Sequence, residues 1–338
     1  MTDAGPADFA SLGIVVGHAQ DDDGATGVTV IRGVDAPLVA AAATLGRATG
    51  TRELHAVSPE HLVGRADAIL LAGGSAYGLD AAAGAMRWCE ARGRGFAVGG
   101  GVVPIVPAAV VFDLAPLGRF DARPTADMVE RACDDAVSAP AEGSVGAGTG
   151  ATVGKALGAA GAMKGGVGCA IESGGESSVG ALVVVNAFGD VRNAQGAIIA
   201  GARDAGGGFA DGAAIVAGDR ARASFADAAG RNTTLAVVIT DVPLSRTQLA
   251  QLARAAGAAL YRRITPVGTS FDGDVVFAVR ASSARYGAAD AAPDDDRAAP
   301  LPVLLRAEAL AVRALERAVE RAVRLARGRD GVPGLADA

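Results

Sequence analysis

The amino-acid sequence predicts an α/β fold, and three observations carry that prediction. Half of the 338 residues are hydrophobic and only 20% are charged, so a sizeable core can be buried. The apolar residues are mostly Ala, Val and Leu, with 4% aromatics and 48 glycines, a mix suited to close backbone packing and not to disorder. Short β-favouring runs also alternate with helix-like stretches along most of the chain. The length is read as a single domain over 1–338.

The elements follow in order. Residues 12–17 and 27–31 read as strands joined by the acidic turn Asp21-Asp22-Asp23-Gly24. An apolar strand over 68–72 ends in Gly73-Gly74, and a helix is expected over 79–92. Residues 108–113 form a further strand and 126–136 a further helix. Between 143 and 168 more than a third of the residues are glycine, which suggests backbone making tight turns around something. Residues 179–187 form a strong strand. The segment 206–231, rich in Gly, Ala, Asp and Arg, reads as exposed. The run 233–240 is β-favouring, 245–260 is helix-like and 275–279 is a strand. A polar loop over 283–300 leads to a long amphipathic helix over 301–327, with Leu305, Val312, Leu315, Val319 and Val323 on or near one stripe.

Charge and cysteine content exclude several functions. The net charge is −6, and no Lys/Arg run is long enough to track a phosphate backbone, so no nucleic-acid partner is expected. No window of about 18 uninterrupted apolar residues occurs, so no membrane-spanning helix is expected. The opening Met1-Thr2-Asp3-Ala4 lacks the features of a secretory signal, and a cytoplasmic location is expected. Cys89, Cys133 and Cys169 match neither a disulfide framework nor a metal site and read as buried free thiols.

Four motifs are set aside. Gly73-Gly74-Ser75-Ala76-Tyr77-Gly78 resembles a nucleophile elbow, but Tyr77 replaces the second glycine. All three histidines (His18, His55, His61) also precede Ser75, where that hydrolase order needs one after it. Around Lys155 a phosphate loop fails twice, with Thr149 in place of the first glycine and Ala156 in place of the hydroxyl residue. Gly146-x-Gly148-x-x-Ala151 fits a loose dinucleotide pattern without a convincing strand before it. His18 with Asp21–Asp23 lacks a second histidine at ligand spacing, and no metal is expected.

Three features remain. Of 31 basic residues only Lys155 and Lys164 are lysines, and both lie in the glycine-rich middle. Arginine stays protonated whereas a desolvated lysine changes its pKa, so Lys155 has either a lysine-specific task or a place on a surface turn. Asn232-Thr233-Thr234 stands where a loose segment meets a strong strand, and Asp272-Gly273-Asp274 precedes the strand at 275–279. Alone, Thr233 is an ordinary β-branched residue starting a strand, and Asp-Gly-Asp an ordinary turn.

Together these features resemble the L-aminopeptidase/D-esterase (β-aminopeptidase) family of N-terminal-nucleophile hydrolases, nearest the Thr-dependent 6-aminohexanoate (nylon) oligomer hydrolase branch. The resemblance spans nearly the whole chain. It includes Val16-Gly17-His18-Ala19, Gly73 through Asp80 and Val110-Val111-Phe112-Asp113-Leu114. It continues through Val145 to Ala151, Gly154-Lys155, Lys164 to Gly168 and Val185-Asn186, and ends with Asn232 to Val238, Thr240-Asp241 and Asp272-Gly273-Asp274.

The resemblance implies a four-layer αββα sandwich. It also implies self-cleavage between Asn232 and Thr233 into parts 1–232 and 233–338, leaving Thr233 as an N-terminal nucleophile without any cofactor. It implies Lys155 beside the Thr233 hydroxyl, Asn186 as amide donor to the oxyanion, and Asp272 and Asp274 orienting Thr233 and Lys155. Tyr77 would line the substrate pocket. The expected substrate is a small amide or oligoamide, and the expected assembly is a homo-oligomer, a tetramer of processed heterodimers. An acyltransferase of the ornithine-acetyltransferase kind and a non-catalytic nucleotide-binding or scaffold protein stand as rival readings.

Overall fold

The computed structural model describes residues 5–218, 232–286 and 298–337. Two five-stranded sheets lie face to face. The first contains β1 (Ile14–Asp21), β2 (Thr26–Gly33), β4 (Thr51–Arg52), β5 (Ile69–Ala72) and β6 (Ala108–Val110), in the order β1-β2-β5-β6-β4. The second contains β3 (Leu38–Thr44), β7 (Gly166–Gly174), β8 (Ser177–Asn186), β9 (Thr233–Thr240) and β10 (Val275–Ala281), in the order β7-β8-β9-β10-β3. Strands β9 and β10 run parallel, and the other neighbours in that sheet are antiparallel.

Side chains of a strand alternate between its faces, and here both faces are covered. Leu182, Val184, Leu235, Val237, Ile239, Val275 and Phe277 face the first sheet, where they meet Ile14, Val16, Ile31, Ile69 and Leu71. Val183, Val185, Ala236, Val238 and Val276 point the other way, under the helices α3 (Arg246–Ala256), α4 (Ala258–Arg263) and α5 (Leu301–Arg324). The first sheet is covered by α1 (Ala82–Glu90) and α2 (Ala126–Asp134), through Val28, Val30, Leu70, Val110, Trp88 and Met128. The layers therefore run helix, sheet, sheet, helix, the αββα sandwich expected. Each buried Leu, Ile, Val or Phe contributes about 1.5–3 kcal/mol, so the middle of the second sheet is among the most firmly held parts of the molecule.

Several local expectations are corrected. Strands β3 and β7 have no clear signature in the sequence pattern. β3 is Leu-Val-Ala-Ala-Ala-Ala-Thr, without polar alternation because both its faces are covered. β7 lies inside the glycine-rich middle because α5 packs almost onto its backbone. A Cβ on Gly168 would stand 2.0 Å from the carbonyl oxygen of Ala318, so no side chain fits there. The same closeness explains the stripe of α5. Its buried face is Leu304, Ala307, Leu310, Ala311, Ala314, Leu315, Ala318, Val319, Ala322 and Val323, whereas Leu305 is 55% exposed. Small alanines, not the larger residues alone, mark the packed face.

The strand at 108–113 is shorter than expected, ending at Val110. The helix expected over 79–92 opens as a 3₁₀ segment, Ser75–Ala81, before α1 begins. The one at 245–260 divides at Gly257 into α3 and α4, and α3 opens with a capping box between Ser245 and Gln248. In the expected exposed segment, residues 204–209 are exposed and a short helix, Gly212–Ala217, follows, while 219–231 lie outside the described residues, as do 287–297 of the expected polar loop. Cys89, Cys133 and Cys169 are free and buried. Among the described residues no helix is long and apolar enough to cross a membrane.

Candidate active site

Three strand ends meet at Thr233. Asn186, the last residue of β8, stands opposite Thr233, the first residue of β9. One residue earlier, Asn232 pairs in parallel with Asp272, just before β10. Thr233 is 5% exposed and Asn232 1%. The Thr233 hydroxyl donates to the carbonyl oxygen of Asn232 at 2.6 Å, and the Gly273 N–H donates to that same oxygen at 2.9 Å.

Lys155 comes to this point from the glycine-rich middle. Its own N–H donates to Phe188 O at 2.9 Å and that of Gly154 to Gly189 O at 3.1 Å, tying the turn to the chain leaving β8. Its ammonium, on a side chain only 7% exposed, donates to Asn186 O at 3.0 Å and to Asn186 Oδ1 at 2.9 Å. Of the two expectations for Lys155, the surface turn is overturned: the lysine is buried among site residues. Asn186 Oδ1 also accepts the Thr152 N–H at 3.0 Å, while Asn186 Nδ2 donates to Phe112 O at 3.0 Å. An amide whose oxygen faces two donors and whose nitrogen faces a carbonyl has one sensible orientation.

The Asp-Gly-Asp turn closes the other side. Asp274 Oδ1 accepts the Thr234 N–H at 2.6 Å and Oδ2 that of Gly268 at 3.1 Å, while Asp272 Oδ2 accepts from Thr269 N at 2.8 Å. Their carbonyls accept from the segment after β3, Ala48 N to Asp272 O and Leu45 N to Asp274 O, each at 2.9 Å. Burial pushes the Asp272 carboxyl up, against the hydrogen bonds of Thr269 and the pull of the Lys155 charge. Burial, and then repulsion from Asp272, push Asp274 up to about 7. Between them Gly273 admits no side chain, since a Cβ there would lie 2.6 Å from Ala48 O and 2.7 Å from Thr233 Oγ1.

Lys164 bonds a different set of atoms. Its ammonium donates to the carbonyls of Gly148, Thr149 and Ala151 at 3.1, 3.0 and 2.8 Å, and burial pushes its pKa down to about 7. The Ala151 carbonyl belongs to the peptide unit whose N–H, from Thr152, reaches Asn186 Oδ1. One peptide therefore links the second lysine to the site asparagine.

Six of the seven residues singled out in the sequence, Asn232, Thr233, Lys155, Asn186, Asp272 and Asp274, come together in this cluster. Tyr77 is 52% exposed on the 3₁₀ segment after β5, with the Arg123 guanidinium 3.4 Å from its ring centroid. The main-chain donors and acceptors Phe112 O, Thr152 N and Gly273 N escape a sequence reading, because a backbone group carries no residue signature. Asp113 is the nearest such signal. It sits in the motif Val110-Val111-Phe112-Asp113, and its carboxylate holds Gly74 N at 2.6 Å and Thr26 Oγ1 at 2.7 Å, which fixes the chain at Phe112. Burial pushes that carboxyl up to about 6. The Gly73–Gly78 turn does carry elbow-like strain, with Ser75 at φ +53°, but its Ser75 N–H is taken up by Val111 O in ordinary packing.

Comparison with known proteins places the chain in a family. The profile of peptidase family S58 matches residues 11–336. An uncharacterized aminopeptidase of Mycobacterium tuberculosis is 41% identical over 283 residues, 79% of either chain. A 6-aminohexanoate-oligomer endohydrolase of Kocuria sp. is 31% identical over 285 residues, 80% of this chain and 74% of the relative. Among solved structures, the L-aminopeptidase D-Ala-esterase/amidase of Ochrobactrum anthropi, described as a variant of the Ntn hydrolase fold, superposes with a TM-score of 0.70 at 21% identity, covering 96% of this chain and 89% of that one. A Burkholderia β-aminopeptidase superposes with a TM-score of 0.66 at 22% identity, covering 95% and 88%. With a profile match over residues 11–336, the identity to its relatives and its αββα layers, this chain belongs to peptidase family S58, the L-aminopeptidase/D-esterase and β-aminopeptidase family, and is a hydrolase of peptide or amide bonds.

Proposed function

We propose that the chain is a self-processing amide hydrolase whose nucleophile is Thr233. The observation that carries this reading is the buried hydroxyl of Thr233, 2.6 Å from the carbonyl oxygen of the residue before it. Attack on that carbonyl needs only closure of a small ring through Thr233 itself, so proximity supplies much of what a second catalytic group would otherwise provide. The cleavage frees an α-amine whose ordinary pKa, about 7.7–8.0, suits it to act as general base for its own hydroxyl. That accounts for a hydrolase without a site histidine.

The two parts, 1–232 and 233–338, would stay together after cleavage. Strands β9 and β10 belong to the second part, yet they lie between β8 and β3 of the first, and α5 of the second part packs across β7 and β8 of the first. In the processed enzyme Lys155 places a positive charge beside the amine and hydroxyl of Thr233. Asp272 and Asp274 offset that charge and hold the start of β9. Asn186 is the proposed amide donor to the substrate's tetrahedral oxyanion. Asn186→Asp tests that role, since it keeps an acceptor for Lys155 and removes the donor; loss of turnover with cleavage intact supports it, and unchanged turnover removes Asn186 from the mechanism.

The proposed substrates are short peptide amides or 6-aminohexanoate oligomers, with Tyr77 at the pocket. A second reading, an aminopeptidase or D-amino-acid esterase-amidase acting on free-amine substrates, is favoured by the 41% identity to chains named aminopeptidases. Turnover of free-amine against amine-blocked 6-aminohexanoate oligomers separates the two: equal rates support the endo-acting enzyme, and exclusive use of the free amine supports the aminopeptidase. Processing is checked on a denaturing gel with terminal sequencing. Two bands, the smaller starting at Thr233, are expected, and a single full-length band after prolonged incubation overturns the proposal. Assembly into a homo-oligomer is the quaternary part of the reading, checked by light scattering on the processed protein.

A further inference from the structure

The carbonyl oxygen of Asn232 carries the negative charge that develops when the Thr233 hydroxyl attacks. Catalysis of that step depends on donors already aimed at this oxygen. One is in place: the Gly273 N–H, 2.9 Å away in the parallel pairing that runs on into β9 and β10. It is held there from three sides. Asp272 and Asp274, flanking it, have their carbonyls bonded to Ala48 N and Leu45 N. Their carboxylates accept from Thr269 and from Thr234 and Gly268. Gly273 itself is packed against Ala48 O and Thr233 Oγ1 too closely for any side chain.

We infer that the main-chain N–H of Gly273 is the oxyanion donor for self-cleavage, a role separate from that of Asn186 in substrate turnover. The inference rests on the processing reading above. In the step itself, Thr233 Oγ forms a bond to the Asn232 carbonyl carbon and the Asn232 C–N bond breaks. The hydroxyl proton ends on the departing Thr233 nitrogen, leaving an ester. Water then hydrolyses that ester, returning the hydroxyl to Thr233 and a carboxylate to Asn232. While the carbon is tetrahedral, Gly273 N–H shortens its bond to the charged oxygen. The Asp-Gly-Asp turn thereby gains a reason for its middle residue: glycine lets the backbone come close enough to donate, and the two acids hold the peptide in place.

The test replaces one atom. Cell-free translation with a suppressor tRNA charged with glycolate puts an ester in place of the Gly273 amide and removes the N–H without a side-chain change. A phenyllactate ester at Phe277, in β10 between β9 and β3, is the control for losing one main-chain donor. Cleavage is followed by pulse-chase gel for both chains and the wild type, with thermal melts alongside. The expected result is a cleavage rate lowered about 10²- to 10³-fold at Gly273 and a near-wild-type rate at Phe277. Equal rates in all three chains, or equal slowing in both ester chains, overturn the inference while leaving self-cleavage standing. A wild-type chain that never cuts overturns the processing reading and the inference with it.

Discussion

The two lysines of this chain lie nine positions apart in the same glycine-rich stretch, and the fold uses them differently. Lys155 ends on Asn186, through both its side-chain and main-chain oxygens, beside the strand end that carries Thr233. Lys164 ends on three carbonyls of one tight turn, those of Gly148, Thr149 and Ala151, and is only 1% exposed. Both sites need a compact cation with several rotatable donors, which a planar guanidinium does not supply. The difference is what the donors meet: an asparagine side-chain oxygen together with its main-chain carbonyl in one case, main-chain carbonyls in the other. A buried lysine is therefore not by itself a mark of catalysis; the atoms it bonds decide.

The largest effect sets the zero for that contrast. Thr233→Ala is expected to abolish both cleavage and turnover while leaving the fold intact, read as one uncut band with an unchanged circular dichroism spectrum. Lys155→Met follows, with turnover down by about 10²-fold or more and a smaller fall in melting temperature than Lys164→Met, since Asn186 Oδ1 keeps the Thr152 N–H as a donor when the ammonium is lost. Gly273→Ala is expected to slow cleavage by about 10²-fold, because a Cβ displaces the Thr233 hydroxyl from its short contact. Its rate on the pulse-chase gel, compared with Lys155→Met, shows whether position or charge matters more in the first cut.

Lys164→Met should show the reverse of Lys155→Met. Three buried carbonyls lose their donor, at about 1–3 kcal/mol for each group left unmet, so the melting temperature falls by several degrees and turnover changes less. A Lys164→Met chain with lost turnover at an unchanged melting temperature would break the comparison, and the single peptide between Lys164 and Asn186 would be the place to look.

The smallest expected effect is on pH dependence. Asp274, pushed up to about 7 in the folded chain, has an ordinary value of about 3.9. The folded form therefore binds more protons than the unfolded form between those values. That contribution to stability is full below about pH 4 and is lost as pH rises through about 7. Asp274→Asn should flatten the stability curve over that window, measured by denaturant titration at a series of pH values. A curve that keeps its slope would mean that another group titrates there.

Much of this site is legible in the amino-acid sequence. Thr233 after Asn232, the confined lysines, Asn186 at a strand end and the Asp-Gly-Asp spacing are side-chain identities, and a linear sequence displays them. Phe112 O, Thr152 N and Gly273 N are not legible there, because any residue supplies a carbonyl or an N–H and only the register of neighbouring strands aims them. Strand β7 is hidden for a related reason. Its glycines look like turn residues until α5 is seen lying against them. Leu305 misleads for the opposite reason, since a large apolar residue suggests the packed face while the real contact uses alanine.

By itself the sequence determined the α/β alternation, the family and the residue types from which the chemistry is drawn, because hydrophobic period and side-chain identity are local properties. Tertiary structure alone decided that β9 and β10 lie between strands of the other part, that Lys155 meets Asn186 while Lys164 meets carbonyls, and that Gly273 N–H points at the Asn232 carbonyl. Those are matters of register and close approach between segments far apart in the chain, set by how the sheets and helices pack.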